Sequence, residues 1–194
     1  CNNTVANGDV TRQFENEIST LCDIDYVAAV NSGTIALKIA LQALDVGEGD
    51  EVILPTYVCK NVLEAVEQNG AQPVLCDIGL DWRMDVDLIA PLISKNTKAI
   101  IVVHVFGIVS NVDSIRQFQI PVIEDACQSF GSRSGAFSSG CRGDLGVYSF
   151  QATKMITTGE GGAIVTANAA LAERVERLVN GSRLSDLASA LGIC

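Results

Sequence analysis

Residues 26–44 read YVAAVNSGTIALKIALQAL, a short apolar run that passes directly into apolar residues at helical spacing. The run predicts a buried strand over residues 26–32, and the spacing predicts a helix over Thr34–Leu44. The same order recurs at EVILP (51–55), a second predicted strand that precedes a predicted helix over Cys59–Gln68. Strands that alternate with helices are typical of a parallel sheet whose crossover helices cover both faces.

The rest of the chain continues this pattern. Further strands are predicted at PVLCDI (73–78), AIIVVHV (99–105), PVIEDA (121–126), LGVYSFQ (145–151) and GGAIVT (161–166). Further helices are predicted at residues 110–118, 171–179 and 185–191. The last two strands are joined by a short connection, so one of them could run antiparallel. We therefore expect an α/β fold, a three-layer αβα sandwich around a mostly parallel mixed sheet.

The composition limits the partners of the chain. It has 194 residues, enough for one domain with a sizeable core, and a formal net charge of −10. Nucleic acid and anionic membranes require clustered Lys and Arg, so neither is expected as a partner. Charged residues make up only 19% of the chain, which indicates that a partner covers part of the surface.

The chain has seven cysteines at wide spacing and a single histidine, His104. No pair of closely spaced cysteines or histidine cluster indicates a zinc site, so no metal is expected. An odd number of cysteines, several of them in apolar runs, is typical of free thiols in a reducing compartment. With no signal peptide and no apolar run of membrane length, we expect a cytoplasmic protein without a membrane partner.

The NSGT segment (31–34) lies between the first predicted strand and helix, where an open parallel sheet binds ligands. Ser32 or Thr34 can cap the helix, and Gly33 lets the backbone approach a bound group. Free amides at the positive end of a helix favour a phosphate. A plain N-cap without any ligand is the alternative interpretation.

Three other positions carry candidate groups. Glu124 and Asp125 follow the apolar PVI, and alternation sends them to opposite faces, so one should face the site unless both lie in solvent. Lys154 lies near Ser149 in SFQATK, where its amine could attack a carbonyl, although solvated loop lysines are more common. His104 ends an apolar strand, which is more typical of a structural histidine than of a catalyst.

Taken together, these candidate groups indicate one cofactor more strongly than any single group does. Pyridoxal phosphate (PLP) needs a cradle for its phosphate, an aspartate beside its ring nitrogen and a lysine for a Schiff base. The NSGT segment, Asp125 and Lys154 provide one candidate for each part. A lysine released after exchange with substrate can also transfer the proton.

The motifs, taken in order, resemble the DegT-type sugar aminotransferases, which are PLP enzymes of fold type I. The similarity runs from about Phe14 to Gly192. It includes NSGTIALKIAL (31–41), GDEVILP (49–55), GAQPVLCDI (70–78), TKAIIVVHVFG (97–107), IEDACQSFG (123–131), GDLGVYSF (143–150) and TTGEGGAIVT (157–166). So many motifs in one order are far more specific than any single one.

The resemblance implies a role for each matching residue. Lys154 would bond covalently to PLP, and Asp125 would face the ring nitrogen. Gln128 would lie near the phenolic oxygen, and Cys127 would pack under the ring where the family has a small residue. The implied phosphate residues are Gly33, Thr34 and Ser149, next to the capping candidate Ser32. A lysine at position 154, where dehydratase relatives carry histidine, favours transamination.

The sequence also departs from the family pattern. In PTYVC, Cys59 stands where the family has an aromatic residue that stacks on the ring, and Tyr57 is the nearby aromatic alternative. Gly181 replaces an asparagine that would reach the phosphate of the partner subunit. The family's C-terminal small domain is missing, so we expect residues 1–194 to be the PLP-binding large domain of a truncated chain.

The resemblance implies a function. A homodimeric aminotransferase would move an amino group from glutamate or glutamine to the keto sugar of a nucleotide sugar, in the biosynthesis of amino sugars, cell-envelope polysaccharides or antibiotic sugars. One alternative is a non-catalytic remnant that binds PLP weakly or serves as an interaction module. Another is the same chemistry on a different ketone, such as an inosose.

Overall fold

A seven-stranded mixed sheet is the centre of the fold in the computed structural model, which describes residues 8–194. Its strands are β1 (Tyr26–Val30), β2 (Glu51–Pro55), β3 (Gln72–Cys76), β4 (Thr97–Val103), β5 (Val122–Asp125), β8 (Leu145–Ser149) and β9 (Gly162–Thr166). The spatial order is β1-β9-β8-β5-β4-β2-β3. Only β9 runs antiparallel to its two neighbours, which confirms the predicted mostly parallel sheet with one late antiparallel strand.

Six helices cover the two faces of this sheet within residues 8–194. They are α1 (Asp9–Cys22), α2 (Gly33–Ala43), α3 (Lys60–Gln68), α4 (Val112–Arg116), α5 (Ala169–Leu178) and α6 (Asp186–Ile193). Buried residues of α2, α3 and α5 form one core cluster, whereas α1 with α6 and α4 pack on the opposite face. The predicted three-layer αβα sandwich is confirmed.

Several predicted elements are shorter in the structure, and one strand is shifted along the chain. The helix expected over residues 110–118 is limited to α4, because Asn111 caps it at Ser114 N and Gln119 adopts a left-handed backbone with φ of 56°. The strand expected over residues 99–105 has the expected length but lies two residues earlier, at Thr97–Val103. The following residues form a 3₁₀ turn (Val105–Gly107).

The prediction missed α1 and a small hairpin of β6 (Arg133–Ser134) and β7 (Phe137–Ser138). The buried residues of α1 recur at helical spacing, at Phe14, Ile18 and Cys22, so its pattern was present in the sequence. None of the helices within residues 8–194 is sufficiently long and apolar to cross a bilayer.

Asp186, the first residue of α6, joins that helix to α1. Its Oδ1 accepts hydrogen bonds from Gly8 N at 3.0 Å, Thr11 N at 3.1 Å and Thr11 Oγ1 at 2.7 Å. The backbone of α1 therefore receives its N-terminal cap from a residue far along the chain. A Cβ at position 8 would lie 1.8 Å from the same carboxylate, so the contact requires glycine there.

Candidate active site

A cavity of about 210 Å³ lies beyond the carboxyl ends of β4, β5 and β8, beside the start of α2. This is the edge at which open parallel sheets bind ligands. The eight predicted site residues all line it: Ser32, Gly33, Thr34, Asp125, Cys127, Gln128, Ser149 and Lys154. The structure thus brings together residues from three separate segments of the sequence, 32–34, 125–128 and 149–154.

The start of α2 forms one wall. Ser32 is the N-cap of α2, and its Oγ accepts a hydrogen bond from Ile35 N at 3.2 Å. The same residue lines the cavity, so it both caps the helix and lies at the candidate site. The first amides of a helix have no intrahelical acceptor, and they lie at the positive end of the helix dipole. At Gly33 a Cβ would come within 2.9 Å of Ser149 Cβ and 3.0 Å of Cys127 Sγ, so glycine permits this close packing.

Asn61 extends this wall, and sequence reasoning missed it. Its Nδ2 donates to Thr34 Oγ1 at 3.1 Å, and both residues line the cavity. The contact orients the Thr34 hydroxyl, leaving its hydrogen available for a bound acceptor. Asn61 belongs to α3, and no motif in the sequence distinguishes it from other exposed helix residues.

Asp125 is the buried carboxylate of the cavity, with 6% of its surface exposed. Its Oδ1 accepts from Cys127 N at 3.0 Å. No Lys, Arg or His within the described residues forms an ion pair with it. A buried carboxylate without a cation is costly, so the arrangement favours a bound group that carries positive charge.

Glu124 points to the opposite face of β5, as the alternation of side chains predicted. It is 1% exposed and accepts from the backbone N of Gly140, Arg142 and Gly143 at 2.5–2.9 Å. Its other partner is His104 Nε2 at 2.7 Å. Burial acts to raise the pKa of Glu124, but the hydrogen bonds from His104 and the amides together hold it below its ordinary value.

His104 is a structural residue in this arrangement. Its ring is fully buried and its Nδ1 accepts from Ser110 N at 3.1 Å. The proton of the neutral ring is therefore on Nε2, where it is donated to Glu124. Both ring nitrogens are occupied away from the cavity, which agrees with the structural interpretation of this lone histidine.

Lys154 is half-buried in the loop between β8 and β9, whereas the residues on either side of it are exposed. Its side chain lines the cavity instead of extending into solvent. Within residues 8–194 it forms no ion pair. A lysine that is partly desolvated and unpaired is a suitable candidate nucleophile toward a carbonyl.

Gln128 and Cys127 occupy the floor near Asp125. Gln128 Oε1 accepts from Phe106 N at 3.1 Å, which leaves the amide NH₂ free to donate toward the cavity. Burial, followed by the nearby Asp125 charge, raises the pKa of Cys127 well above its ordinary value. The Cys127 thiol is therefore neutral and acts as a small apolar surface.

The positions that depart from the family pattern are also placed. Cys59 lines the cavity, whereas the Tyr57 ring lies elsewhere, 5.1 Å from the Trp82 ring and 6.1 Å from the Phe106 ring. Cys59 is therefore the residue at the cavity position expected for an aromatic. Gly181 is exposed in a turn with φ of 84°, just before Ser182, whose carbonyl accepts from Asn31 N.

The remaining lining residues include several that sequence reasoning did not name. They are Leu37, Val62, Val103, Val147, Gln151 and Glu160. Val103 and Val147 lie at or near carboxyl ends of strands, a position that could have marked them. Within the described part of the chain, no group of His, Cys, Asp and Glu side chains could hold a metal ion.

All six cysteines within the described residues are free thiols. Cys22 and Cys76 are buried, in agreement with their apolar surroundings in the sequence. The remaining cysteine, Cys1, lies outside the described residues.

Comparison with known proteins identifies the family. Residues 1–189 match the DegT/DnrJ/EryC1/StrS aminotransferase family, and the chain belongs to it. Among solved structures, the aminotransferase from Psychrobacter cryohalolentis superposes with a TM-score of 0.92 at 30% identity, covering 96% of this chain and 55% of that one. The NtdA structure from Bacillus subtilis with bound PMP superposes with a TM-score of 0.91 at 32% identity, covering 98% and 48%.

Similar curated proteins include a GDP-perosamine synthase and an inosose aminotransferase. The GDP-perosamine synthase of Escherichia coli O157:H7 is 37% identical over 172 residues, 86% of this chain and 47% of that protein. The L-glutamine:2-deoxy-scyllo-inosose aminotransferase of Streptomyces fradiae is 34% identical over 181 residues, 90% and 43% respectively. The chain spans about half the length of these relatives.

Proposed function

We propose that this chain is the PLP-binding part of an aminotransferase. The observation that carries the proposal is the cavity at the carboxyl edge of the sheet, where Asp125, Lys154 and the start of α2 converge. Membership of the aminotransferase family and likeness to a structure with bound PMP support the same cofactor.

The residues present fit PLP. Asp125 is a buried carboxylate that lacks a cation among the described residues, and a protonated pyridine nitrogen would supply one. The start of α2, with the Thr34 hydroxyl oriented by Asn61, suits a phosphate. When bound, PLP supplies a ring that takes up negative charge developed at the amino-bearing carbon of the substrate.

The residues of the chain would divide the remaining work. Ser32, Gly33, Thr34 and Ser149 would hold the phosphate. The Asp125 carboxylate would face the ring nitrogen and Gln128 would donate from its amide to the phenolic oxygen, while the neutral Cys127 thiol would pack against the ring. The free amine of Lys154 would take the proton from the amino-bearing carbon of the donor and return a proton to the carbon being aminated.

The proposed amino donor is glutamate or glutamine, and the proposed acceptor is a keto sugar carried on a nucleotide. The GDP-perosamine synthases among the relatives, at 37% and 38% identity in two organisms, favour this acceptor. The 2-deoxy-scyllo-inosose aminotransferase at 34% identity supports a cyclitol ketone as the second candidate. The product would enter the biosynthesis of an amino sugar.

The proposed assembly is a homodimer in the cytoplasm, with neither nucleic acid nor membrane as a partner. A net charge of −10 disfavours both of those partners. Three aromatic side chains, Tyr57, Trp82 and Phe106, contact one another while 43–61% of each is exposed, which supports a protein partner for that surface. A second copy of the chain is the proposed partner.

Absorbance of the purified chain with added PLP, followed by borohydride reduction and peptide mapping, tests the cofactor site. We expect a visible band in the parent, with the reduced label on Lys154, and loss of both in Lys154→Ala. Lys95→Ala removes an exposed lysine away from the cavity and should behave as the parent does. Equal labelling of scattered lysines in both variants would support the non-catalytic alternative instead.

A single-turnover assay then tests the reaction class. The PLP-loaded chain is mixed with glutamate or glutamine, and the amino group it takes up is offered to nucleotide-linked keto sugars and to inososes. Transfer to the sugar ketone supports the proposal, and transfer only to the inosose supports the second candidate. A chain that binds PLP at Lys154 but takes up no amino group would contradict activity of this chain.

A further inference from the structure

Two thiols meet beside a buried tyrosine, away from the cavity described above. Cys22, the last residue of α1, has its Sγ 3.5 Å from the hydroxyl oxygen of Tyr148. Cys141, in the loop between β7 and β8, has its Sγ 3.4 Å from the same oxygen. Tyr148 donates its hydroxyl hydrogen to Ser139 O at 2.5 Å. One oxygen atom therefore lies against both sulfurs, although these belong to distant parts of the chain.

The two thiols also interact with each other. A hydrogen bond from Cys141 lowers the pKa of Cys22 to about 7, and the same interaction raises the pKa of Cys141. The lowered pKa favours the thiolate of Cys22, which is the reactive form of cysteine. Cys141 keeps its proton and remains beside the nucleophile as a second thiol.

A route from solvent leads to this pair. Both cysteines line a surface cavity of about 600 Å³, together with Phe137 and the guanidinium-bearing Arg116 and Arg142. Cys141 is half-buried there, whereas only 3% of Cys22 is exposed, so a small reagent would reach the pair from the Cys141 side. The other buried thiol, Cys76, faces the carbonyl oxygens of Asp77 and Asp85, and burial raises its pKa to about 11.

We propose that Cys22 and Cys141 form a reversible disulfide on exposure to a peroxide. The Cys22 thiolate attacks one oxygen of the peroxide and the O–O bond breaks, which forms a sulfenic acid on Cys22. The hydroxide that leaves takes up a proton and becomes water. Cys141 sulfur then attacks the resulting sulfenic acid, the S–O bond breaks, and a second water leaves with the Cys141 proton. Two thiols are oxidised, one hydrogen peroxide is reduced, and a dithiol reagent reverses the change by thiol–disulfide exchange.

The bond would connect α1 to a loop that matters for the fold. Cys141 lies between Gly140 and Arg142, whose amides, with that of Gly143, hold the buried Glu124 carboxylate. A disulfide at this point joins the first helix to the loop and reduces the conformational entropy of the unfolded chain. We expect the oxidised protein to melt at a higher temperature than the reduced one and to exchange the amides of α1 more slowly.

Peptide mapping of the full chain tests this directly, because trypsin places each of the seven cysteines on its own peptide. The reduced protein is treated with hydrogen peroxide at neutral pH, then alkylated and digested without reductant. We expect peptide 13–38 joined to peptide 134–142 with the loss of two hydrogen atoms. The joined peptide should appear before the exposed Cys194 is oxidised, because the fold holds the sulfurs of Cys22 and Cys141 against one Tyr148 oxygen.

Variants and a denatured control exclude trivial outcomes. Cys22→Ser should abolish the joined peptide and the rise in melting temperature, while Cys194→Ser should leave both unchanged. The parent in concentrated urea should lose the preference for this pair, since it depends on the fold. The proposal is overturned if the native parent yields no 13–38/134–142 peptide, or if Cys59 and Cys194 are oxidised while Cys22 and Cys141 remain alkylated like Cys76. Both readouts are independent of the proposed aminotransferase activity.

Discussion

Asp125 and Glu124 show how one strand can give two adjacent carboxylates opposite tasks. Glu124 accepts hydrogen bonds from His104 and from three backbone amides, which stabilise its charged form in the core. Asp125 accepts from one backbone amide and faces the cavity. The difference arises at the end of β5, where one face meets the 139–143 loop and the other meets the candidate site. Function and stability are therefore separable by substituting each residue alone.

Asp125→Asn should stabilise the cofactor-free protein while weakening the site. The amide keeps the acceptor for Cys127 N and removes a buried charge that no cation offsets, so the free energy of unfolding should rise by about 1 kcal/mol. The affinity for PLP should fall ten- to hundredfold, roughly the 1.5–3 kcal/mol of a hydrogen bond to a charged group.

Urea unfolding and an absorbance titration with PLP measure the two effects. Glu173→Gln, an exposed carboxylate of α5, should change neither. An unchanged affinity for PLP in Asp125→Asn would contradict the proposal that Asp125 binds the ring nitrogen.

Glu124→Gln should destabilise the protein by about 3 kcal/mol at pH 7, because the glutamine NH₂ cannot accept all the hydrogen bonds that the carboxylate accepts from His104 and the backbone amides, and an unsatisfied buried donor costs about 1–3 kcal/mol. Since the pKa of Glu124 is lowered by folding, its contribution is present above the pKa of the unfolded chain. That contribution disappears as the pH falls below about 4. Urea unfolding at several pH values should show this acid loss in the parent and a smaller one in the variant.

Glu64→Gln is the matched control for that series. Glu64 pairs with Lys60 on the surface, where the two side chains are 36% and 80% exposed. Surface pairs contribute about 0–1 kcal/mol, so the control should remain close to the parent. A similar loss of unfolding free energy in the two variants would mean that the buried hydrogen-bond network stabilises the protein no more than a surface ion pair does.

At the scale of elements, α1 depends on α6 because Asp186 supplies its N-cap. Asp186→Ala should cost about 1–2 kcal/mol, the usual range for a lost cap, and should increase amide exchange in α1. The hydrogen bond from Thr11 helps to lower the pKa of Asp186, so the contribution of the cap should be lost as the pH falls through that lowered pKa.

Urea unfolding with hydrogen exchange provides the measurement. Asp9→Ala removes a carboxylate from the first turn of α1 that makes no such cap, and should cost about 0.5 kcal/mol or less. If Asp9→Ala is as harmful as Asp186→Ala, the helix dipole and not the long-range cap stabilises α1.

How far the sequence predicts this fold depends on whether a feature is local. Six of the seven sheet strands were recognisable because their apolar runs are buried from both faces, whereas the edge strand β3 is partly exposed. Gly33 and Asp125 were recognisable because strand ends are functional positions. The cap by Asp186 and the contact of Asn61 with Thr34 depend on residues distant in sequence, which no local pattern reveals. The short α4 was overestimated because apolar spacing does not show where a backbone turns left-handed.

At the scale of the whole molecule, the exposed aromatic surface tests the proposed homodimer. Trp82 and Phe106 both adopt left-handed backbone conformations, with φ of 66° and 55°, and their rings lie 5.5 Å apart. Such conformations are uncommon for aromatic residues and persist where the surroundings impose them. Exposed, contacting aromatics of this kind are typical of the centre of a protein interface.

The double variant Trp82→Asn/Phe106→Asn is suited to the test, because asparagine tolerates the left-handed region and should preserve the local backbone. Sedimentation across a range of concentrations should show a dimer in the parent. Each subunit would lose two interface aromatics, so even about 1 kcal/mol per side chain should raise the dissociation constant about a thousandfold and yield a monomer. Leu187→Asn, which removes a side chain 79% exposed on α6, should still dimerise. A parent that sediments as a monomer at every concentration would refute self-association of this chain, and a dimeric double variant would place the interface elsewhere.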